Sequence, residues 1–247
     1  KRLSGIFWNA LGNNFKFVLA VLFVIMPIQL FIAYWLDIKI IGYRFHRTII
    51  FLPYIISSTI IGFLTMLVFN PNIGIINTFL KKAGSHVSAW FGDPKKAFGL
   101  LIIVIAWQGI AGGMFIFLAN LKGISKSLIE AAFIDGATRY QRFRYIILPC
   151  LEPALINNII LGTIWALTQF DIPFVVGGSQ GGINNSIDFV NLLFYRFTFG
   201  GSYYGETSMG FGAAISIALF IIILCITIIQ LCFLNRKFSY NGKRGDE

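Results

Sequence analysis

Five stretches of this chain run for about 20 residues or more with at most one charged side chain: Phe17 to Leu36, Thr48 to Phe69, Ala97 to Leu121, Ile146 to Phe170 and Thr207 to Leu234. A helix rises about 1.5 Å per residue, so roughly 20 apolar residues cross the ~30 Å hydrocarbon layer of a bilayer. Barrel strands would be about half as long and would alternate apolar with polar side chains, and these runs do neither. A single soluble core is excluded as well. With 57% hydrophobic and 12% charged residues and a mean hydropathy of +0.77, 247 residues cannot hide their apolar surface from water. The expected fold class is an all-α polytopic membrane protein. One transmembrane domain over 1–247 carries five spans at about 17–36, 48–69, 97–121, 146–170 and 207–234, with a polar loop at 122–145 and no separate soluble domain or repeat.

The net charge of +10 is not a nucleic-acid signal, because the basic residues sit in short loops beside the spans rather than on a polar domain. The excess of Lys and Arg on the cytoplasmic side of membrane proteins is the better account. Placing Asp37 to Arg47, Leu121 to Tyr145 and the tail after Leu234 inside the cell collects twelve of the 20 Lys and Arg there; Lys81, Lys82, Lys95 and Lys96 pull the other way. The C-terminus is then cytoplasmic and Lys1 outside. The chain opens without Met and without a signal sequence, so a segment upstream of Lys1 containing a further span is expected.

Enzyme chemistry finds no footing. Cys150, Cys225 and Cys232 fall in or at the ends of spans and read as small apolar packing residues. His46 and His86 stand in separate loops with no Cys or carboxylate at ligand spacing, so no metal site is expected. There is no Gly-rich phosphate loop beside a Lys and no Ser/His/Asp set. Between the spans, Lys1 to Lys16 mixes Phe7, Trp8, Leu11 and Phe15 with Asn and Lys and predicts a short helix lying in the interface. Pro71 to Lys96, with Trp90 and Asp93-Pro94, reads as a structured external loop. Asp171 to Glu206 is the longest connection, with a glycine-rich turn at Gly177 to Gly182 and an interfacial helix expected over Phe189 to Phe199.

The polar loop at 122–145 carries the densest pattern: Glu130-Ala131-Ala132, three residues, Gly136, nine residues, Ile146, one residue, Leu148-Pro149. Ser127-Leu128-Ile129-Glu130 fits a capping box, so a short helix begins near Ser125 to Ser127. Leu128, Ala131, Ala132 and Ile134 give it an apolar side, and Gly136 after Asp135 supplies the positive φ that ends it. Two turns of helix with small residues are not stable alone and must dock on something.

In these residues the chain resembles the permease subunits of binding-protein-dependent ABC importers, in particular the maltose-type carbohydrate subfamily with its EAA loop. Arg47 to Tyr54, Gly74 to Asn77, Trp107, Leu118 to Leu121, Glu130 to Ala137 and Gln169 to Asp171 look like family landmarks in family order, so the likeness covers nearly the whole chain. It departs at Ser125, where the family usually has Pro, and at Val176 to Gly182, where the family tends to Thr-Gly-Gly-Pro. The resemblance implies the type I ABC importer permease fold and a cytoplasmic coupling helix formed by Ser127, Glu130, Ala131, Ala132, Asp135 and Gly136. It also implies partners: a second, different permease subunit, two cytoplasmic ATPase subunits that bind ATP and Mg, and an external solute-binding protein. No cofactor is expected on this chain, no nucleic acid partner, and a bacterial plasma membrane address in contact with lipid.

The middles of the spans carry no carboxylate, Lys or His of the kind that couples secondary transporters, so energy must enter from outside the bilayer. A substrate path should show as polar and aromatic groups inside spans. Tyr54, Ser57, Ser58, Trp107, Gln108, Gly109, Asn157, Asn158, Trp165, Thr168 and Gln169 qualify, and Ser, Asn and Gln also stitch helices together in membranes. Rings stack on the C–H faces of sugars and amides pair with their hydroxyls. By resemblance, Tyr54, Ser58, Gln108, Gly109 and Gln169 match sugar-contacting positions, and Gly162 matches another without a side chain to offer; Trp107 and Trp165 complete the candidate set. The Gly112-Gly113 pair reads as helix packing. Lack of charge in this set points to a neutral oligosaccharide. The alternatives are a glycerol-phosphate or polyol-phosphate importer, an ATP-independent channel or scaffold, and a proton-coupled carrier.

Overall fold

The computed structural model describes residues 2–38, 41–200 and 208–242, with side chains placed within 5–38, 41–200 and 208–233. The helices are α1 (Arg2–Ala20), α2 (Met26–Asp37), α3 (Tyr43–Ile55), α4 (Ser58–Val68), α5 (Ile75–Lys82), α6 (Pro94–Gly123) and α7 (Lys126–Ile134). They are followed by α8 (Arg139–Arg142), α9 (Leu148–Cys150), α10 (Glu152–Leu167), α11 (Asp171–Gly177), α12 (Val190–Phe199) and α13 (Met209–Gly242). A π-helical turn, Val21–Ile25, joins α1 to α2, and a second, Phe143–Ile147, joins α8 to α9. Each ends two residues before a proline, Pro27 or Pro149, in the same register. Proline has no N–H and its ring crowds the carbonyl four residues back, so widening the preceding turn to i→i+5 bonding keeps the helix continuous. The bonds Met26 N–H to Val21 O and Leu148 N–H to Phe143 O are of that kind.

Among the described residues, four helical segments are long and apolar enough to cross a membrane: Gly5–Asp37, Pro94–Gly123, Glu152–Gly177 and Met209–Phe233. The run Thr48 to Phe69 is not one helix. Ile56 and Ser57 adopt extended backbone angles, and α3 and α4 meet there at 97°. Counting that bent pair as one span gives five.

Three local expectations are corrected. The segment before Lys16 does not lie apart in the interface but continues the first span as one helix, because its asparagines have distant partners. Asn13 donates to Asp188 O at 3.0 Å, while Asn14 donates to Leu167 O at 3.1 Å and accepts from Val190 N–H at 3.0 Å. Both are buried. In the fourth run the helix breaks at Leu151, and α11 takes up what reads in sequence as loop; α11 packs on α4, where a Cβ on Gly62 would sit 2.7 Å from Val175 Cβ. Over Phe189 to Phe199 the helix forms as α12, but it packs on α1 and α13, and Leu192, Leu193 and Arg196 are buried rather than lying on a surface.

The loop from Pro71 to Lys96 is built around Asn77, which is 1% exposed. Its Nδ2 donates to Pro71 O and Ser88 O, and its Oδ1 accepts from Trp90 Nε1 at 3.0 Å, so Trp90 is fixed by a side chain of its own loop. The main core packs α2 on α6, with α3 against α6 beside it and α10 between α1, α6 and α13.

Candidate functional site

The polar loop folds as a helical hairpin. Helix α7 begins after Ser125, two residues earlier than a Ser127 cap requires, so Ser127 lies inside the first turn and no Ser127–Glu130 capping box forms. The two hydroxyls, Ser125 Oγ and Ser127 Oγ, pair at 2.6 Å. The capping box of this loop is Thr138 with Gln141, which starts α8. Between the two helices, Gly136 has φ +77°, Ala137 N–H donates to Ala132 O and Gly136 N–H to Phe133 O. That is the Schellman arrangement, which satisfies carbonyls at a helix end and requires the left-handed conformation glycine adopts without cost.

Of the loop residues singled out by sequence, Ala132 is turned inward while Ser127, Glu130, Ala131, Asp135 and Gly136 are exposed. Sequence reasoning passed over Phe133. It is 68% exposed, beside Ile134 at 83%, and the Arg142 guanidinium covers its ring at 5.3 Å. Ile129, Glu130, Phe133, Ile134 and Arg142 line a shallow depression of about 400 Å³. An exposed apolar surface on a charged loop marks an interaction site.

The second constellation is a cleft of about 360 Å³ between α2, α3, α6 and α10. It brings together Tyr54, Gly109 and Trp165 from the sequence-derived set. The Trp165 ring lies on Gly109 so closely that a Cβ there would be 2.5 Å from the indole, and the Tyr54 ring faces Gly112. The glycines are thus the floor on which two rings rest. Asn158 joins them, donating to Gly113 O at 3.4 Å. Gln29, from the first span, is the residue that sequence reasoning missed; it is 7% exposed, donates to Gly109 O at 3.3 Å and would collide with any side chain at Gly113. Its signal was available, as the single amide in an otherwise apolar run. No lining residue is a carboxylate, Lys, Arg or His.

Four candidates stand outside this lining. Gln108 donates to Ser58 Oγ and to Ile56 O, both at 3.1 Å, so this pair closes the break between α3 and α4. Gln169 donates to Trp165 O in the preceding turn. Trp107 is 52% exposed on a different face of α6 from Gly109. Among the described residues no group of three or more His, Cys, Asp or Glu is placed to hold a metal ion.

Arg196 of α12 and Asp188, just before that helix, form a fully buried ion pair at 2.7 Å, and Arg196 Nε also donates to Ser179 O. Burial pushes the Asp188 carboxyl up to about 6, against the opposing pull of the Arg196 charge.

The family described as "Binding-protein-dependent transport system inner membrane component" matches residues 17–238. The chain is 35% identical over 219 residues to the trehalose/maltose transport system permease protein MalF of Thermococcus litoralis, covering 88% of this chain and 70% of that one. It is 29% identical to the arabinooligosaccharides transport system permease protein AraP of Bacillus subtilis, over 91% of this chain and 71% of the relative. With the sn-glycerol-3-phosphate transport system permease protein UgpA of Pectobacterium atrosepticum it shares 32% identity over 87% and 70%. The fold matches a chain in the crystal structure of a bacterial alginate ABC transporter bound to an alginate pentasaccharide-loaded periplasmic protein, with a TM-score of 0.75, 21% identity and coverage of 92% and 76%.

Proposed function

The chain belongs to the family of binding-protein-dependent transport system inner membrane components, and from that premise we propose that it is one of two different permease subunits of an ATP-driven importer for a neutral oligosaccharide. It is a multi-pass permease of an ABC importer and not itself an ATPase; hydrolysis in such importers lies on separate subunits. The observation that carries the sugar reading is the cleft. Two aromatic rings on a glycine floor, with the amides of Gln29 and Asn158, offer stacking faces and hydroxyl partners, and no fixed charge is present to hold an anion or a cation.

The drive enters through the hairpin at 122–145. The exposed face of α7 is the docking surface for a cytoplasmic ATPase subunit, which binds ATP and Mg, and the Gly136 turn passes its movement through α8 to the fourth span. This puts the hairpin and the C-terminus inside the cell, in a bacterial plasma membrane, with a solute-binding protein delivering substrate from outside. Ser58, Trp107, Gln108 and Gln169 contribute on this reading through the shape of the broken span and the mouth of the path rather than the cleft floor. The likeness to a glycerol-phosphate permease supports a second reading, a polyol phosphate. That cargo would need its cation from the sister subunit.

The test is uptake by proteoliposomes holding this chain with its sister permease, two ATPase subunits and binding protein. Accumulation of a neutral oligosaccharide that stops on ATP depletion is expected, with Asn158→Leu and Gln29→Leu raising the sugar concentration needed for half-maximal rate. Uptake that survives ATP depletion, or that is selective for a phosphate ester, would overturn it.

A further inference from the structure

Where the first span meets the polar loop, Pro27, Phe31 and Tyr34 of α2 and Ile38 at its C-terminal cap form one stripe, spaced by four, three and four residues, along a groove of about 540 Å³. Eleven residues of helix rise about 16 Å, the depth of one leaflet of a ~30 Å hydrocarbon layer. Phe143 closes the groove floor against Tyr34, their rings 4.8 Å apart. Charge is confined to the loop end, where Arg139 and Tyr140 of α8 join Ile38 in the lining. Both are exposed, and among the described residues no side-chain hydrogen bond or ion pair engages the Arg139 guanidinium. Asp37, one residue from Ile38, is itself engaged.

We propose that this groove binds an anionic glycerophospholipid of the leaflet bordering the hairpin, with an acyl chain along the α2 stripe and the phosphate on Arg139 and the Tyr140 hydroxyl. Length, apolar lining and a cation placed at one end only are what such a lipid requires, and basic pockets beside spans attract anionic headgroups. A sugar has no use for a 16 Å apolar stripe. Because α8 follows directly from the Gly136 turn, the lipid would pin the root of the hairpin to the first span. The reading under Proposed function supplies only which leaflet this is.

The experiment is native mass spectrometry of the purified whole transporter with phosphatidylglycerol or phosphatidylcholine added. Retention of phosphatidylglycerol over phosphatidylcholine, one per copy of this chain, is expected. Arg139→Gln should weaken it about fivefold; Phe31→Gln, which sets an amide in the chain's path, should weaken it too while subunit composition stays unchanged. Glycerol phosphate, a headgroup without chains, should not compete. Equal retention of phosphatidylcholine, no change in either variant, or displacement by glycerol phosphate would overturn the proposal, as would a disulfide from Phe31→Cys to the sister subunit showing that a helix covers the groove. Lipid retention does not read transport, so it stands or falls independently of the cargo.

Discussion

The side-chain amide of Gln108 donates to the carbonyl oxygen of Ile56 at 3.1 Å, at the point where the second apolar run turns through 97°. Inside a bilayer no water is at hand for backbone groups freed by a helix break, so another span must supply their partner. Gln108 serves two acceptors there, Ile56 O and Ser58 Oγ, and so holds α4 at its angle to α3.

Gln108→Leu, similar in volume but without a donor, should therefore destabilise the transporter by about 1 kcal/mol, toward the low end of the cost of stranding a carbonyl because Ile56 O is only part-buried. Ser58→Ala should cost less, because Gln108 keeps Ile56. The thermal midpoint of the purified complex checks the order. A Gln108→Leu protein as stable as the parent, but with impaired uptake, would return Gln108 to direct substrate contact.

Gly109 is predicted to tolerate no side chain. A Cβ there meets the Trp165 ring at 2.5 Å, so Gly109→Ala must push the indole across the cleft. Overpacking of this kind costs about 1–3 kcal/mol. Sugar uptake should fall in Gly109→Ala and partly recover in Gly109→Ala with Trp165→Phe. Failure of the second change to restore any uptake would show that the indole itself, not the space, is required.

The apolar runs and the hairpin were legible in the sequence because each is a local signal: hydropathy over one span, or a glycine fixed distances from Glu130 and Pro149. The break at Ile56 and Ser57 was not. Pro53 sits nearly a turn earlier, inside α3, and a bend leaves hydropathy unchanged. Asn13 and Asn14 looked like the wet face of an interfacial helix because their partners lie 152 or more residues away, at Leu167, Asp188 and Val190. Gln29 was missed for the same reason, since its use depends on Gly109 and Gly113 being bare.

The buried pair of Asp188 and Arg196 has an unusual pH sign. Asp188, at about 6, titrates above the ordinary carboxyl value of about 4, so the folded chain keeps its proton over a window where the unfolded chain has lost it. Stability should fall as pH rises from about 4 to about 6 and then level off. Asp188→Asn, which has no proton to lose, should abolish that slope. Thermal midpoints of the complex from pH 4.5 to 7.5 test this, and a midpoint that climbs across the window would refute it.

Gly136 offers the sharpest test of the hairpin's role, because space and backbone conformation separate there. A Cβ on Gly136 meets nothing within 4 Å, yet φ is +77°. Any penalty is therefore conformational, about 1–2 kcal/mol for an ordinary residue and larger for a β-branched one, whereas asparagine is tolerated. Gly136→Val should open the bonds from Ala137 to Ala132 and from Gly136 to Phe133, and so free α7 from α8. The spans lie elsewhere, so membrane insertion and assembly with the sister subunit should be unchanged. What should be lost is the link between ATP hydrolysis and uptake: transport falls at least tenfold in Gly136→Val while hydrolysis by the complex no longer responds to loaded binding protein. Gly136→Asn should retain most of both. Normal ATP-driven uptake by the valine variant would mean that force does not pass through this turn.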